Sequence, residues 1–299
     1  MWIPDGVLDH VRAVADEPDL TETKYEVLRV VGRGGMGTVY AALDTALGRE
    51  VALKLSLGAE SAETRERLRR EARVLARLEH PGIVPVHDVG TLPDGRVFYV
   101  MKLVQGERLD AWVRRLPERR AVLSLFQRIG EAVAFAHARG VLHRDLKPDN
   151  VMVGAFGEAL VMDWGIAKEL DGDWAEPGGL VVGTPGYMAP EQSRGGLVDA
   201  RTDVYGLGAL LSFLVGREVP PALGSICAKA TARAPEDRYA SALELVADVG
   251  RFLDGSPVRA HEETVFERIA RFATRHRVAL SLVAAYLFVR LLIVYFGVR

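Results

Sequence analysis

"HRDLKPDN", residues 143–150, sets an Asp, a Lys two positions on and an Asn three beyond that in one short loop. Such a loop can supply a base, a phosphate-directed cation and a metal-binding amide from neighbouring positions. Downstream, "DWG" at residues 163–165 offers a carboxylate to a hard, oxygen-preferring cation. Upstream, "GRGGMGTVY" places glycines at 32, 34 and 37 after one strand-like run and before another, where the missing side chains let backbone N–H groups approach phosphates. "VALK" follows and ends on Lys54. Each of these has an ordinary explanation when taken alone: a glycine-rich turn, a solvated edge lysine, acidic residues in a surface loop.

The chain around them is organised in two textures. With 299 residues and 49% apolar side chains it can bury one large core or two smaller lobes. Its 38 basic and 40 acidic residues nearly cancel, which argues against a nucleic-acid-binding chain. The single Cys227 excludes an internal disulfide and a cysteine-rich metal cluster, and fits a reducing compartment. Residues 1–24 read as a short amphipathic helix and a polar connector, broken by Pro18, with no export-signal pattern. "YEVLRVVG", "GTVYAALD", "EVALKLSL" and "VFYVMKLV" then read as strands separated by Gly, Asp and Pro clusters. Between the third and fourth, Leu68, Ala72, Leu75 and Leu78 are spaced for one face of a helix. The expectation is an α+β architecture: an antiparallel sheet of four or five strands with one helix over residues 25–105, then a mostly helical lobe over 106–255. A basic segment, 256–277, leads to residues 278–298, "VALSLVAAYLFVRLLIVYFGV", 21 residues with one charge. At about 1.5 Å per residue a helix of that length just crosses a hydrocarbon core of about 30 Å.

The order and spacing of the motifs, with "GTPGYMAPE" at 183–191, resemble the eukaryotic-type Ser/Thr protein kinases of bacteria over about residues 25–255. That resemblance implies the bilobal kinase fold, ATP and Mg2+ (or Mn2+) as cofactors, and protein substrates bearing Ser or Thr hydroxyls. It also implies roles. Gly32, Gly34 and Gly37 would arch over the ATP phosphates, and Lys54 would pair with the α- and β-phosphates while held by a helix glutamate, Glu71 or, five residues earlier, Glu66. Asp145 would accept the substrate hydroxyl proton, Lys147 would stabilise the transferred phosphoryl group, and Asn150 and Asp163 would hold the metal. Adenine would lie between Val39 and Ala52 above and Met152 below, with Met101 as gatekeeper and the backbone of Lys102 and Val104 at its edge. Asp203 would brace the catalytic loop, Glu191 and Arg238 would form a buried ion pair, and Thr184 would hydrogen-bond toward Asp145 and Lys147.

Three departures stand out. Trp164 replaces the commoner Phe after the metal-binding Asp. The chain passes from Gly216 almost directly to "ICAKATARAPEDRY", where related kinases carry a docking helix. The loop from Asp163 to Glu191 has hydroxyls only at Thr184 and Tyr187, so Arg144, the family's phosphate grip, would need a carboxylate such as Asp171, Asp173 or Glu176, or a partner contact instead. Arg268, Arg271, Arg275 and Arg277 before the apolar run, against Arg299 after it, imply a single-pass membrane anchor with the kinase in the cytoplasm. Arg290 inside the run either snorkels or meets an acidic partner helix, and a second copy of the chain is the other partner expected. The alternative to an active Ser/Thr kinase is a pseudokinase or membrane scaffold that binds nucleotide without efficient transfer.

Overall fold

The computed structural model describes residues 18–34, 37–56, 62–164, 168–169, 184–216, 218–265, 267–269 and 276–297. Strands β1 (Tyr25–Gly34), β2 (Gly37–Asp44), β3 (Arg49–Leu55), β4 (Val86–Thr91) and β5 (Val97–Lys102) form an antiparallel sheet in the order β1-β2-β3-β5-β4. Helix α1 (Ala62–Ala76) packs against β4 and β5. Period-two alternation gives the sheet two buried faces. Ala52, Tyr99 and Met101 join Leu68, Ala72 and Leu75 of α1 on one face, while Val51, Leu53, Phe98 and Val100 point to the other.

The second lobe begins with β6 (Gly106–Arg108) and α2 (Leu109–Val113), then α3 (Arg119–His137), β7 (Val141–Leu142), β8 (Val151–Gly154), β9 (Ala159–Val161) and β10 (Lys168–Glu169). Four helices follow: α4 (Pro190–Ser193), α5 (Ala200–Val215), α6 (Pro221–Ala230) and α7 (Ala242–Leu253). The short strands pair as β6-β8-β9 and as β7-β10. They were not anticipated, because runs of two to four residues carry too little periodicity to stand out from a helical background. Helix α3 is the axis of this lobe; Phe126, Ile129 and Val133 are fully buried, and α5 and α7 pack on it. Asp199 caps α5 by accepting from Arg201 N at 2.8 Å, and Ser241 caps α7 through Glu244 N.

Gly206 on α5 matters for the site. A Cβ there would press on the Leu146 side chain at 3.1 Å, so the glycine lets the 143–150 loop sit directly on the helix. Helix α5 ends at Val215 and α6 starts at Pro221, so the connection is as short as the sequence suggests.

Helix α8 (Arg277–Gly297) closes the described chain, and its described side chains, residues 278–291, are all exposed. Among the described residues no helix is long and apolar enough to cross a membrane; side chains beyond Leu291 of α8 are not among them. Residues 1–17 of the expected N-terminal helix and connector, and the carboxylates Asp171, Asp173 and Glu176, also lie outside the described residues.

Candidate active site

Strand β3 delivers Lys54 to the face that meets α1. Its Nζ lies 2.8 Å from Glu71 Oε1 and 3.0 Å from Asp163 Oδ1. Glu66 is out of reach on the exposed side of α1, paired with Arg73 at 2.9 Å. Tyr99, directly across from Lys54 in the β3–β5 register, donates its hydroxyl to the same Glu71 oxygen at 2.8 Å. Sequence reading missed Tyr99, although its spacing, two before Met101 on a strand, puts it on the same face. Burial alone would depress Lys54, but the charges led by Glu71 reverse this and hold its ammonium well above the ordinary range. Asp163 is pushed up by burial and pulled further down by Lys54, so its carboxyl sits below its ordinary value.

The 143–150 loop is held from below by Asp203 of α5. Its carboxylate accepts the N–H of His143 at 2.8 Å and of Arg144 at 2.7 Å, and lies 2.8 Å from His137 Nε2. Two successive amides can meet one carboxylate because Arg144 takes a left-handed φ of 71°. Gln192 adds a third tie, donating to Arg144 O at 2.8 Å. The His143 ring accepts from Asp145 N on Nδ1, so its proton sits on Nε2 and donates to Met162 O at 3.0 Å, linking this loop to the Asp163 segment. Gln192 and His137 lie in ordinary-looking helix positions, and the sequence alone offered no signal for them; His143 opens the "HRDLKPDN" stretch, but its part in holding the loop was not read from it.

Above this base the chemical groups converge. Lys147 Nζ lies 2.7 Å from Asp145 Oδ2 and 2.7 Å from Thr184 Oγ1, and the Thr184 hydroxyl donates to Asp145 Oδ1 at 2.8 Å. Asn150 donates to Asp145 O at 2.8 Å and Oδ2 at 3.0 Å, which turns its amide away from its own backbone and fixes its orientation. Asp163 keeps 43% of its side chain exposed beside Lys54. Among the described residues no group of three or more His, Cys, Asp or Glu is placed to hold a metal alone. An Asn oxygen and one carboxylate suit a cation that completes its shell with phosphate oxygens and water, which is how Mg2+ is usually held.

On the apolar side of the cleft, Ala52 and Met101 are buried, and Val39, Val104 and Met152 pack against the same cluster at partial exposure. The N–H of Lys102 donates to Pro85 O at 3.1 Å, so only its carbonyl is left to meet a ligand edge. Gly32 has open space around it, Gly34 pairs with Gly37 across the β1–β2 turn, and Gly37 is required: its φ is 145° and a Cβ would collide with the Leu55 carbonyl. Behind the site, Arg238 forms a two-pronged ion pair with Glu191 at 2.7 and 2.8 Å, its side chain fully enclosed.

Residues 25–235 match the protein kinase domain family. The chain belongs to the protein kinase family. Relatives of this kinase chain include the serine/threonine-protein kinases PknD of Chlamydia caviae (35% identical), Chlamydia felis (36%) and Chlamydia trachomatis serovar D (35%). Each alignment covers 78% of this chain and 31–32% of the relative, so the chain spans about a third of the length of the curated relatives it matches.

Proposed function

We propose that this chain is a membrane-anchored protein kinase that transfers the γ-phosphoryl group of ATP to Ser or Thr hydroxyls of protein substrates. The observation that carries the reading is the closed set of hydrogen bonds joining Asp145, Lys147, Asn150 and Thr184 within reach of the Lys54–Glu71–Asp163 chain. In that reading the Asp145 carboxylate accepts the proton of the substrate hydroxyl, which takes the place now filled by the Thr184 hydroxyl or sits beside it. Lys147 faces the charge that moves with the phosphoryl group, and Lys54 holds the α- and β-phosphates. Asn150 and Asp163 would ligate Mg2+, which when bound neutralises charge on the phosphate oxygens. Bond-making asks little of the side chains, so pre-set geometry supplies most of the rate. The resemblance to enzymes named serine/threonine kinases and the Lys147 form of the loop support Ser/Thr rather than Tyr as acceptor.

With the chain, Mg2+, labelled ATP and a generic protein substrate, Asp145→Asn should lower kcat by about 10²- to 10⁴-fold at unchanged thermal midpoint. Equal incorporation by parent and variant would overturn the kinase reading and leave a nucleotide-binding scaffold.

The anchoring rests on α8 and its sequence. Its 21 residues would span about 31 Å, and basic residues precede it. Arg290 in such a span costs about 2.5 to 3.5 kcal/mol unless it snorkels toward the outer face or pairs with an acidic partner helix, and Arg290→Leu separates the two. The full chain should stay in the membrane fraction after alkaline carbonate extraction; its release would remove the anchor. Arg290→Leu should keep the chain in the membrane but dissolve any complex, and an unchanged complex would refute the pairing. The short α5–α6 connection supports protein substrates being held by surfaces other than the docking helix of related kinases.

A further inference from the structure

Lys54 and Tyr99 stand directly opposite each other on β3 and β5, and α1 covers the sheet face they share with Leu68, Ala72 and Leu75. One carboxylate oxygen reaches both through that layer: Glu71 Oε1 meets Lys54 Nζ and the Tyr99 hydroxyl, each at 2.8 Å. All three side chains are buried, Tyr99 to 2% exposure. Burial and then the Glu71 charge hold the phenol well above its ordinary range, so near neutral pH it keeps its proton and serves as a donor.

The two bonds to Glu71 differ in kind. Lys54 also faces Asp163 at 3.0 Å and has further protons to turn toward phosphate oxygens, so its hold on Glu71 is shared. The phenol has a single proton, and it is directed at Glu71. A movement of α1 that carried Glu71 away would leave this hydroxyl without its acceptor inside an apolar layer, a state that buried polar groups avoid. A phenylalanine would fill the same space without imposing that constraint. Tyr99 also lies two residues before Met101, so the bond ties α1 to the strand that carries the apolar side of the cleft.

A second observation calls for such a tie. In protein kinases, phosphorylation of the loop after the metal-binding Asp commonly puts the Lys–Glu pair in place. From Asp163 to Gly183 this sequence has no Ser, Thr or Tyr. The pair is nevertheless closed, with partners supplied by β3 and β5.

We propose that Tyr99 is a positioning residue that locks Glu71 onto Lys54, so that phosphoryl transfer needs no phosphate on the 163–183 segment. The consequence for rate rests on the kinase reading; the lock on α1 does not.

The test uses the full chain and acylation of Lys54 by an N-hydroxysuccinimide ester, read by peptide mass spectrometry, with the exposed Lys102 as internal reference. Tyr99→Phe should raise the Lys54 rate by about tenfold or more, the worth of one hydrogen bond to a charged group, and leave Lys102 unchanged. Glu71→Ala should raise it too, and adding Tyr99→Phe should then change it little, because the phenol acts through the carboxylate that is gone. Should Glu71→Ala not fold, Glu71→Gln takes its place, and the Tyr99→Phe effect should shrink with the charge of the acceptor. In phosphoryl transfer, Tyr99→Phe should lower kcat by about threefold or more, and phosphatase-treated parent should start at its untreated rate. A Lys54 rate unmoved by Tyr99→Phe, equal increases at Lys54 and Lys102, or a full Tyr99→Phe effect without the Glu71 carboxylate would overturn the lock. A Tyr99→Phe variant with the parent's kcat, or a treated parent that is inactive until incubated with ATP, would overturn its consequence for transfer. Absence of transfer in every background would count against the kinase reading alone, since the labelling decides the lock.

Discussion

Trp164 occupies a position where its indole is almost wholly buried, its ring centroid 4.6 Å from that of His143 and its Nε1–H directed at Val161 O at 3.4 Å. The residue before it, Asp163, has a φ of 56°, a conformation that a non-glycine residue keeps only when its neighbours hold it. The indole is one such neighbour, wedged under the catalytic loop through His143. Trp164→Phe should therefore cost about 1 to 2 kcal/mol of stability and weaken nucleotide affinity, since the smaller ring leaves a gap and no N–H donor. A Phe variant that matches the parent in rate and in Michaelis constant for ATP would show that the indole has no part in placing Asp163. The identity of the residues at this scale was legible: Asp, Lys, Asn and Asp stood at readable spacings. What could not be read was the set that aims them, because Tyr99, His143 and Gln192 act through contacts made by chain segments far apart in sequence.

Among the elements, α7 carries a device that ties the kinase lobe to residues 258–261. Asp248 is fully buried and accepts from Tyr239 Oη at 2.8 Å, Arg251 Nη1 at 3.0 Å, Arg259 N at 2.7 Å and Ala260 N at 3.0 Å. One carboxylate thus holds the backbone of the segment leading toward α8. Asp248→Asn keeps the shape but points an N–H2 at a donor, so it should cost about 2 to 3 kcal/mol and raise amide exchange at residues 258–261 more than elsewhere. Exchange that stays at the parent level there would mean that packing, not this carboxylate, holds the segment. The long elements were legible because twelve or more residues of 3.6 period, or alternating runs bounded by Gly and Asp, leave a pattern. Strands β6 to β10 were not, since their pairing depends on partners brought close by the fold. The choice between Glu71 and Glu66 was of the same kind. Both lie on α1, and only the packing of α1 on β4 and β5 turns one of them inward.

For the molecule as a whole, stability should fall on the acid side. Burial raises the carboxyls of Glu191, Asp203 and Asp248, and partners more than reverse it: Arg238 for Glu191, His137 for Asp203, the Arg259 amide for Asp248. All three therefore titrate below their ordinary values in the folded chain. As pH drops, the unfolded chain takes up protons first, so their contribution is complete above about pH 5 and is lost as pH falls through the folded values. The thermal midpoint should decline below that point, adding to a loss that begins near neutral pH as the unfolded chain protonates His80 and His87, which burial holds below their ordinary values. Arg238→Ala should cost about 3 to 5 kcal/mol and, by removing the leading partner that lowers Glu191, should shrink the acid decline; a variant with the parent's full acid profile would show that Glu191 contributes nothing to the acid decline. The sequence by itself determined the family, the two lobes and the chemical groups of the site, because motif spacing and periodicity are local properties of a chain. Tertiary structure alone decided which glutamate meets Lys54, which residues brace Asp145 and Asp163, and that the outer face of the sheet is buried. Each of those depends on the distance between side chains from separate elements, and a linear pattern does not contain that distance.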